Sequence, residues 1–516
     1  MHYVIGSGPA GVACARALLD RGVRVCMVDA GLTLEPAIQD HVRQLHARTP
    51  DQWSKDEIKR LKGDAEANSK GVVLKRSFGS DFPYRGTDEH IGITSEDAAL
   101  KPSLAFGGLS NVWGAAMLPY TESDLQGWPI HLADLAPHYA AALRLTGLAA
   151  GNDALEETFP LYAEAFATLR KSRQSERLWR NLMHHKQPLE QSGITFGASR
   201  IAVRDCAYCG LCMYGCAYGY IFNSAATVQQ MRQEERFSYE SGVIVTRIEE
   251  SNNQVTISGY RMENGAPWEA RAERAFLAAG VLPTTKILLS SQEAFDQPRW
   301  IADSQYFLFP LAQFSRTPGV RDEALHTLSQ IFLEICDAQL SPHTVHIQLY
   351  SYNDIISQAL RATLGPLGVD WIVRQLEERV LIAQAYLHSD LSPRIRIVLE
   401  KTARGSQLRM ETEPNPETEK RVRSVVRKLL RHARQLGAVP LEPMLQVAPT
   451  GRGFHSGGTF PMRREPTKFE TDILGRPQGY ERIHVVDASV FPTIPATTIT
   501  LSAMANAHRI ASLALS

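Results

Sequence analysis

No run of eighteen apolar residues occurs in this chain of 516 residues, so no helix that spans a bilayer is expected. Charge of neither sign prevails, because Lys plus Arg and Asp plus Glu both number 55. That balance leaves no electrostatic footprint for nucleic acid or for an anionic membrane. Room for a leader is missing too. The first apolar strand, His2 to Ile5, follows Met1 directly, so a cytoplasmic location is expected, with export alongside a partner subunit left open. There is no internal repeat and no low-complexity linker. What is present is length enough for two or three domain-sized cores. Cysteine is scarce, with 7 residues in all, yet its distribution is uneven.

Four of those cysteines share one short run, Cys206-x2-Cys209-x2-Cys212-x3-Cys216, in RDCAYCGLCMYGCAYGY. The spacing matches the thiolate run that holds iron–sulfur clusters in bacterial ferredoxins. Structural zinc more often uses two separated pairs of ligands. Disulfides suit an exported chain better than this one, and reduced thiols remain a third alternative. Ala217 follows the fourth cysteine where ferredoxins usually have proline. No second run exists, so all four suit one 4Fe–4S cubane, ahead of a 3Fe–4S cluster on three of them. Cys14, Cys26 and Cys336 lie in apolar segments and read as small core hydrophobes.

Residues 2–31 form a unit of strand, glycine loop, helix, strand and acid. Gly6 permits the tight turn, Gly8 lets the backbone approach a pyrophosphate, and Gly11 lets the helix pack on the strand. The helix has an apolar face of Val12, Ala15 and Leu19. Its N-terminus offers free N–H groups to a phosphate. The strand Val23 to Val28 ends at Asp29, placed to accept the adenosine ribose hydroxyls. NAD and FAD satisfy this fingerprint equally.

Five further segments carry more. They are GGLSNVWG (107–114), DLQGWPIHLADLAPHY (124–139), FLAAGVLPTTKILLSSQ (276–292), FHSGGTFPM (454–462) and HVVDASVFPTIPATTITLSAMANAHRIA (484–511). In order and spacing they resemble the glucose–methanol–choline (GMC) oxidoreductases. The position of the cysteine run resembles a subset with an inserted iron–sulfur motif, which includes some sugar dehydrogenases. The resemblance implies an α/β chain whose Rossmann-like FAD domain is assembled from 1–120, 220–300 and 450–516. A connecting region, 121–219, holds the cysteines. An α+β substrate domain, a sheet backed by helices, covers 301–449. Local patterns agree in part. Residues 241–260 read as a hairpin around Asn252-Asn253. Ile331–Ile335, Val345–Tyr350 and Ile395–Leu399 read as strands, 417–436 as helix, and 151–200 as mostly helical.

By the same resemblance Gly107, Gly108, Ser110 and Asn111 pass close to the flavin, with Trp113 a candidate to face it. No histidine stands there to attach FAD covalently, so FAD is expected to be non-covalent. Ala279 and Gly280 end a strand beside the cofactor phosphates, and Asp487 and Ala488 lie by the ribityl and phosphate region. A helix start near Thr497 and Thr498 would stabilise charge at N1 of reduced flavin. His455 falls at the family's catalytic histidine, and an imidazole with a pKa near 6.5 accepts a hydroxyl proton at neutral pH. Thr498 stands where the family has Asn or His, and threonine is not a base at neutral pH. Three alternatives follow: His455 works alone, Thr498 only orients substrate, or the reaction differs from simple alcohol oxidation.

The function expected is oxidation of a sugar, polyol or other alcohol by FAD. Electrons leave through the cluster to a protein or quinone acceptor rather than to O₂, and a partner subunit is possible. An electron-transfer or assembly subunit without alcohol chemistry, and the same site run as a carbonyl reductase, are the alternatives.

Overall fold

The computed structural model describes residues 1–63, 74–251, 253–364, 370–403 and 405–515. Its first layer is a parallel sheet in the order Ile483–Val485, Arg274–Leu277, His2–Ile5, Val25–Val28, Phe237–Glu240. These strands are short and almost wholly apolar because both faces are covered. The helix Pro9–Asp20 starts with proline at its first position, where no N–H is needed. It packs along the C-terminal helix Thr500–Leu513 through alanine-rich faces. The reading of Val23 as strand was two residues generous, since pairing begins at Val25. Val243–Ser251 and Gln254–Arg261 form the expected hairpin, extended by Pro267–Ala272. Asn252, in its turn, lies outside the described residues.

The second layer is an antiparallel sheet in the order Ala438–Pro440, Tyr306–Gln313, Val380–Tyr386, Val345–Tyr350, Ile331–Ile335, Ile194–Ala198. Gln446–Val447 pairs beside it. Side chains alternate between its faces. Phe307, Phe309, Leu333, Ile347, Ala383 and Ala385 point to one side and are buried under the helices Arg173–His184 and Thr418–Arg431. Each large apolar side chain so buried contributes roughly 1.5–3 kcal/mol. The other face carries a polar row that runs in register across four strands: Tyr306, Tyr386, His346, Glu334.

A third sheet joins the layers: Ser456–Gly457, Arg299–Asp303, Arg394–Thr402, Gly405–Glu413 and Ile93–Ser95.

Three expectations change. Residues 151–200 are not simply helical, because Ile194–Ala198 is an edge strand of the second sheet. Gly193, with φ +77°, turns the chain from a helix into it. The helix expected over 417–436 breaks at His432 into Thr418–Arg431 and Ala433–Leu436. Cys14 and Cys26 are buried but Cys336 is exposed, at the residue just after a buried strand. Among the described residues no helix is long and apolar enough to cross a membrane.

Candidate active site

One large cavity runs between the parallel sheet and the polar face of the second sheet. At one end it is lined by Gly6, Ser7, Gly8, Asp29, Gly108 and Gly280. Gly6 has φ +106°, and a Cβ there would lie 2.4 Å from the Ala278 carbonyl oxygen. A Cβ on Gly11 would lie 2.0 Å from the Gly6 oxygen, so this glycine lets the helix sit on the loop. Gly8 and Gly280 differ, because a Cβ on either meets nothing within 4 Å. Gly280 answers to its backbone, with φ +89°, whereas Gly8, with φ −67°, is bare toward the cavity without a packing or backbone need. The N-terminus of the helix Val281–Ser291, capped by Gly280, also faces this end.

Ser7 links the two glycine loops. Its hydroxyl donates to the Asp29 carboxylate and accepts from the Gly107 amide at 2.8 Å. Burial pushes the Asp29 carboxyl up to about 7, opposed by Ser7 and the Ala30 and Gly31 amides. Gly107 and Asn111 do not line the cavity. A Cβ on Gly107 would strike Asn223 Oδ1 at 2.7 Å. Asn111 holds the turn by donating to Gly108 O at 2.7 Å and Phe106 O at 3.0 Å. Ser110 lines the cavity, and its hydroxyl donates to Gly107 O at 2.6 Å. Asp487 and Ala488 line it too. Asp487 accepts from Gly280 N at 2.9 Å, Thr284 Oγ1 at 2.6 Å and Ser489 N at 3.0 Å, so it fixes the bare turn at Gly280.

At the other end stands His455, with its ring stacked on Tyr386 at 4.6 Å between centroids. The ring lies deep in the protein yet opens on the cavity, and its Nδ1 has no hydrogen-bond partner. Burial, reinforced by His346, pulls its pKa down to about 3. The imidazole is therefore neutral at physiological pH, with a nitrogen lone pair available. Its loop is held from behind. Gly457 and Gly458 pack where Cβ atoms would lie 2.3 Å from Ala488 O and 2.8 Å from Phe491 O. Phe454, with φ +56°, holds the sparsely populated left-handed conformation just before the histidine.

Thr498 lines this end, but its Oγ1 accepts from the Leu118 amide at 2.9 Å. Its hydroxyl hydrogen and one lone pair are left to orient a substrate. Thr497 does not line the cavity, and its buried hydroxyl has no partner. The C-terminal helix begins at Thr500, later than the threonine run suggested, and Thr500 and Ala503 face the cavity. Trp113 lines the cavity and donates from Nε1 to Phe222 O at 3.0 Å.

The four run cysteines are free thiols on one loop. Backbone N–H groups of Tyr208, Tyr220 and Thr327 donate to the sulfurs of Cys206, Cys216 and Cys212 at 3.2, 3.3 and 3.5 Å. A tetrahedral zinc with Zn–S about 2.3 Å would hold its sulfurs about 3.8 Å apart. Among the described residues no three cysteine sulfurs lie within 4.8 Å of one another, and the one such group of donors is His343, His388 and Asp390. Burial holds Cys206 and Cys209 up at about 12 as thiols. Tyr214 and Tyr218 pack around the loop with Trp53 and Leu61, which limits water. The loop abuts the cavity. Met213 lines it, and the buried Lys75, beside Cys212 and Cys216, donates to the Trp113 carbonyl at 2.9 Å.

Several lining residues escaped sequence reasoning. Gln348 and Tyr350 share a strand face with His346, and that alternation of polar residues in HIQLY was a readable signal. Here Tyr350 OH donates to Gln348 Oε1 at 2.9 Å, Gln348 Nε2 meets His346 Nε2 at 3.1 Å, and His346 Nδ1 meets Glu334 Oε1 at 2.7 Å. Arg452, Lys75, Tyr306 and Gln384 carried no local signal.

The model of the GMC oxidoreductase family matches residues 393–507. No match is found among curated proteins. Three solved structures are similar along the chain. Pyridoxine 4-oxidase from Mesorbium loti has 14% identity and a TM-score of 0.60, covering 99% of this chain and 98% of its own. A formate oxidase has 13% identity and a TM-score of 0.62, covering 99% and 97%. A variant of the Aspergillus oryzae RIB40 formate oxidase, made to examine FAD modification, has 13% identity and a TM-score of 0.63, covering 99% and 98%. At such identities the likeness speaks of fold alone, and that fold extends over nearly the whole chain. The family match thus covers residues 393–507, and over the rest of the chain the likeness is one of fold.

Proposed function

We propose that the chain is an FAD-dependent dehydrogenase oxidising a CH–OH group of a sugar, polyol or other alcohol. Electrons then leave through an iron–sulfur cluster held by Cys206, Cys209, Cys212 and Cys216 to a protein or quinone acceptor. One observation carries the reading. The bare glycines of a dinucleotide site, an unpartnered neutral histidine and the four-cysteine loop all border a single cavity. Three of the similar solved structures are of oxidases, and one concerns FAD, which agrees with flavin chemistry. The domain division into 1–120, 220–300 and 450–516 for FAD, and 301–449 for substrate, belongs to the same proposal.

The residues divide the work. The amides at Gly8 and at the start of Val281–Ser291 hold a pyrophosphate, and Asp29 takes ribose hydroxyls. Bound FAD supplies a two-electron acceptor for the hydride of the carbinol carbon. His455 receives the hydroxyl proton, because it is neutral, unpartnered and open to the cavity. Tyr386 fixes the imidazole plane by stacking. Thr498 orients the substrate oxygen with its free hydroxyl hydrogen. The cysteines supply a one-electron exit when they hold their cluster.

A second reading is an oxidase that returns electrons to O₂, favoured by the activities named for the similar structures. Anaerobic purification with an absorbance spectrum, flavin and iron counts, and bleaching by candidate alcohols tests the proposal. The expected result is one FAD and three or four irons per chain, with bleaching reversed faster by a quinone than by O₂. A protein with zinc instead of iron, or with no flavin, overturns it.

A further inference from the structure

At the histidine end of the cavity one charge has no counter-charge. Arg452 lines the cavity three residues before His455. Its Nε and Nη1 are buried and have no hydrogen-bond partner in the protein. The groups that face it electrostatically are the hydroxyls of Tyr84 and Tyr306, and no carboxylate pairs with it among the described residues. The two carboxylates that line the cavity are engaged elsewhere, Asp29 with Ser7 and Asp487 with Gly280, Thr284 and Ser489. His455 is neutral. Burying two guanidinium donors without a partner is costly, and such a cost is tolerated where a ligand supplies the partner.

We propose that Arg452 is a substrate-anchoring residue and that the substrate is an alcohol bearing a carboxylate. This rests on the oxidation reading above and narrows its substrate. A planar guanidinium matches a carboxylate in two parallel hydrogen bonds along an edge that Nη2 forms with Nε or with Nη1. The spacing follows from the stacked rings. Arg452 lies by Tyr306, Tyr306 stacks on Tyr386 at 5.2 Å, and Tyr386 stacks on His455. With the tyrosine pair interposed, the substrate sought carries its carboxylate apart from the carbinol carbon, as in a hydroxymethylbenzoate or a sugar acid, rather than adjacent as in lactate. Gln384, on the cavity wall, offers its amide to intervening hydroxyls, and the Tyr350 hydroxyl, which already donates to Gln348, can accept from one.

The test uses the FAD-loaded protein and three matched pairs: 4-hydroxymethylbenzoate with benzyl alcohol, 6-hydroxyhexanoate with hexan-1-ol, and glucuronate with glucose. Anaerobic calorimetry reads binding, and flavin bleaching reads oxidation. In wild type at least one acid should bind about 30-fold or more tightly than its neutral partner. Arg452→Leu should bring that ratio below about 3 with FAD content unchanged, and Arg452→Lys should restore part of it. No acid preference in any pair, or a preference that survives Arg452→Leu, overturns the proposal. Loss of FAD from Arg452→Leu overturns it too, by making the arginine a cofactor ligand. Tighter binding of glycerol 3-phosphate than of any acid rejects the carboxylate. An arginine-dependent acid preference without bleaching leaves the anion site standing and sinks the oxidation reading. Bleaching by neutral alcohols without acid preference does the reverse.

Discussion

The buried carboxylate of Asp303 accepts from Ser456 Oγ at 2.5 Å with one oxygen and from the Gly451 amide at 2.8 Å with the other. It thereby spans the segment that carries both Arg452 and His455. Ser304 adds a bond from its amide to the His455 carbonyl at 3.0 Å. Burial pushes the Asp303 carboxyl up to about 7 while these two donors pull it back. In Asp303→Asn the amide NH₂ group faces one of these donors. A stability loss of about 1–3 kcal/mol is expected, read as a lower Tm. Flavin reduction should slow by about 10–100-fold, because small misplacements of a reacting group cost that much, while FAD stays bound.

Gly8 and Gly11 should part company. Gly8→Val leaves the backbone unstrained, since φ at Gly8 is −67° and a Cβ there meets open space. It should give a folded protein without FAD. Gly11→Val drives a side chain into the Gly6 carbonyl and should yield little soluble protein. Circular dichroism with a flavin count separates the two outcomes, and FAD retained by Gly8→Val contradicts the assigned pyrophosphate site.

Cys209→Ser should remove the cluster and leave the flavin. Substrate should still bleach the flavin in this variant, while turnover with the physiological acceptor collapses. An iron assay, together with bleaching and acceptor reduction, reads all three. Unchanged turnover with that acceptor means the loop is structural.

Thr498→Ala orphans the buried Leu118 amide. A stability loss of about 1–3 kcal/mol is expected, together with a smaller effect on flavin reduction than a histidine substitution at the base gives. Thr498→Ser, which keeps the acceptor oxygen, should restore most of the stability.

The acid limb of the pH profile follows from His455. Its pKa is lowered from 6.5 to about 3, so the imidazole stays unprotonated as pH falls through 6.5. The free enzyme's kcat/KM should therefore hold level from pH 8 to about pH 5 and decline only nearer the depressed value. A limb centred at 6.5 or above shows that bound cofactor has moved the group back.

Much of the first layer was legible because its chemistry is local. The unit from His2 to Asp29 is continuous in sequence, and Gly6 and Gly11 answer to close contacts within it and with Ala278. His455 was legible for a different reason, since FHSGGT stands before the terminal strand and its two glycines meet Ala488 and Phe491. The wall opposite was not legible. Tyr306, Tyr386, His346 and Glu334 come from four separate strands, and only their register makes them neighbours. Arg452 gave no signal because its significance is a missing partner, which only three-dimensional packing reveals. Ile194–Ala198 hid among helices because its pairing strand lies far along the chain.

The most direct measurement is anaerobic stopped-flow reduction of the flavin in wild type and in His455→Ala, with a substrate that bleaches the wild type. FAD content should be equal in the two. Reduction should be slower in the variant by roughly 10²–10⁴-fold, the usual contribution of a general base. Equal rates of flavin reduction in the two proteins would contradict the assignment of His455 as the group that takes the substrate's hydroxyl proton.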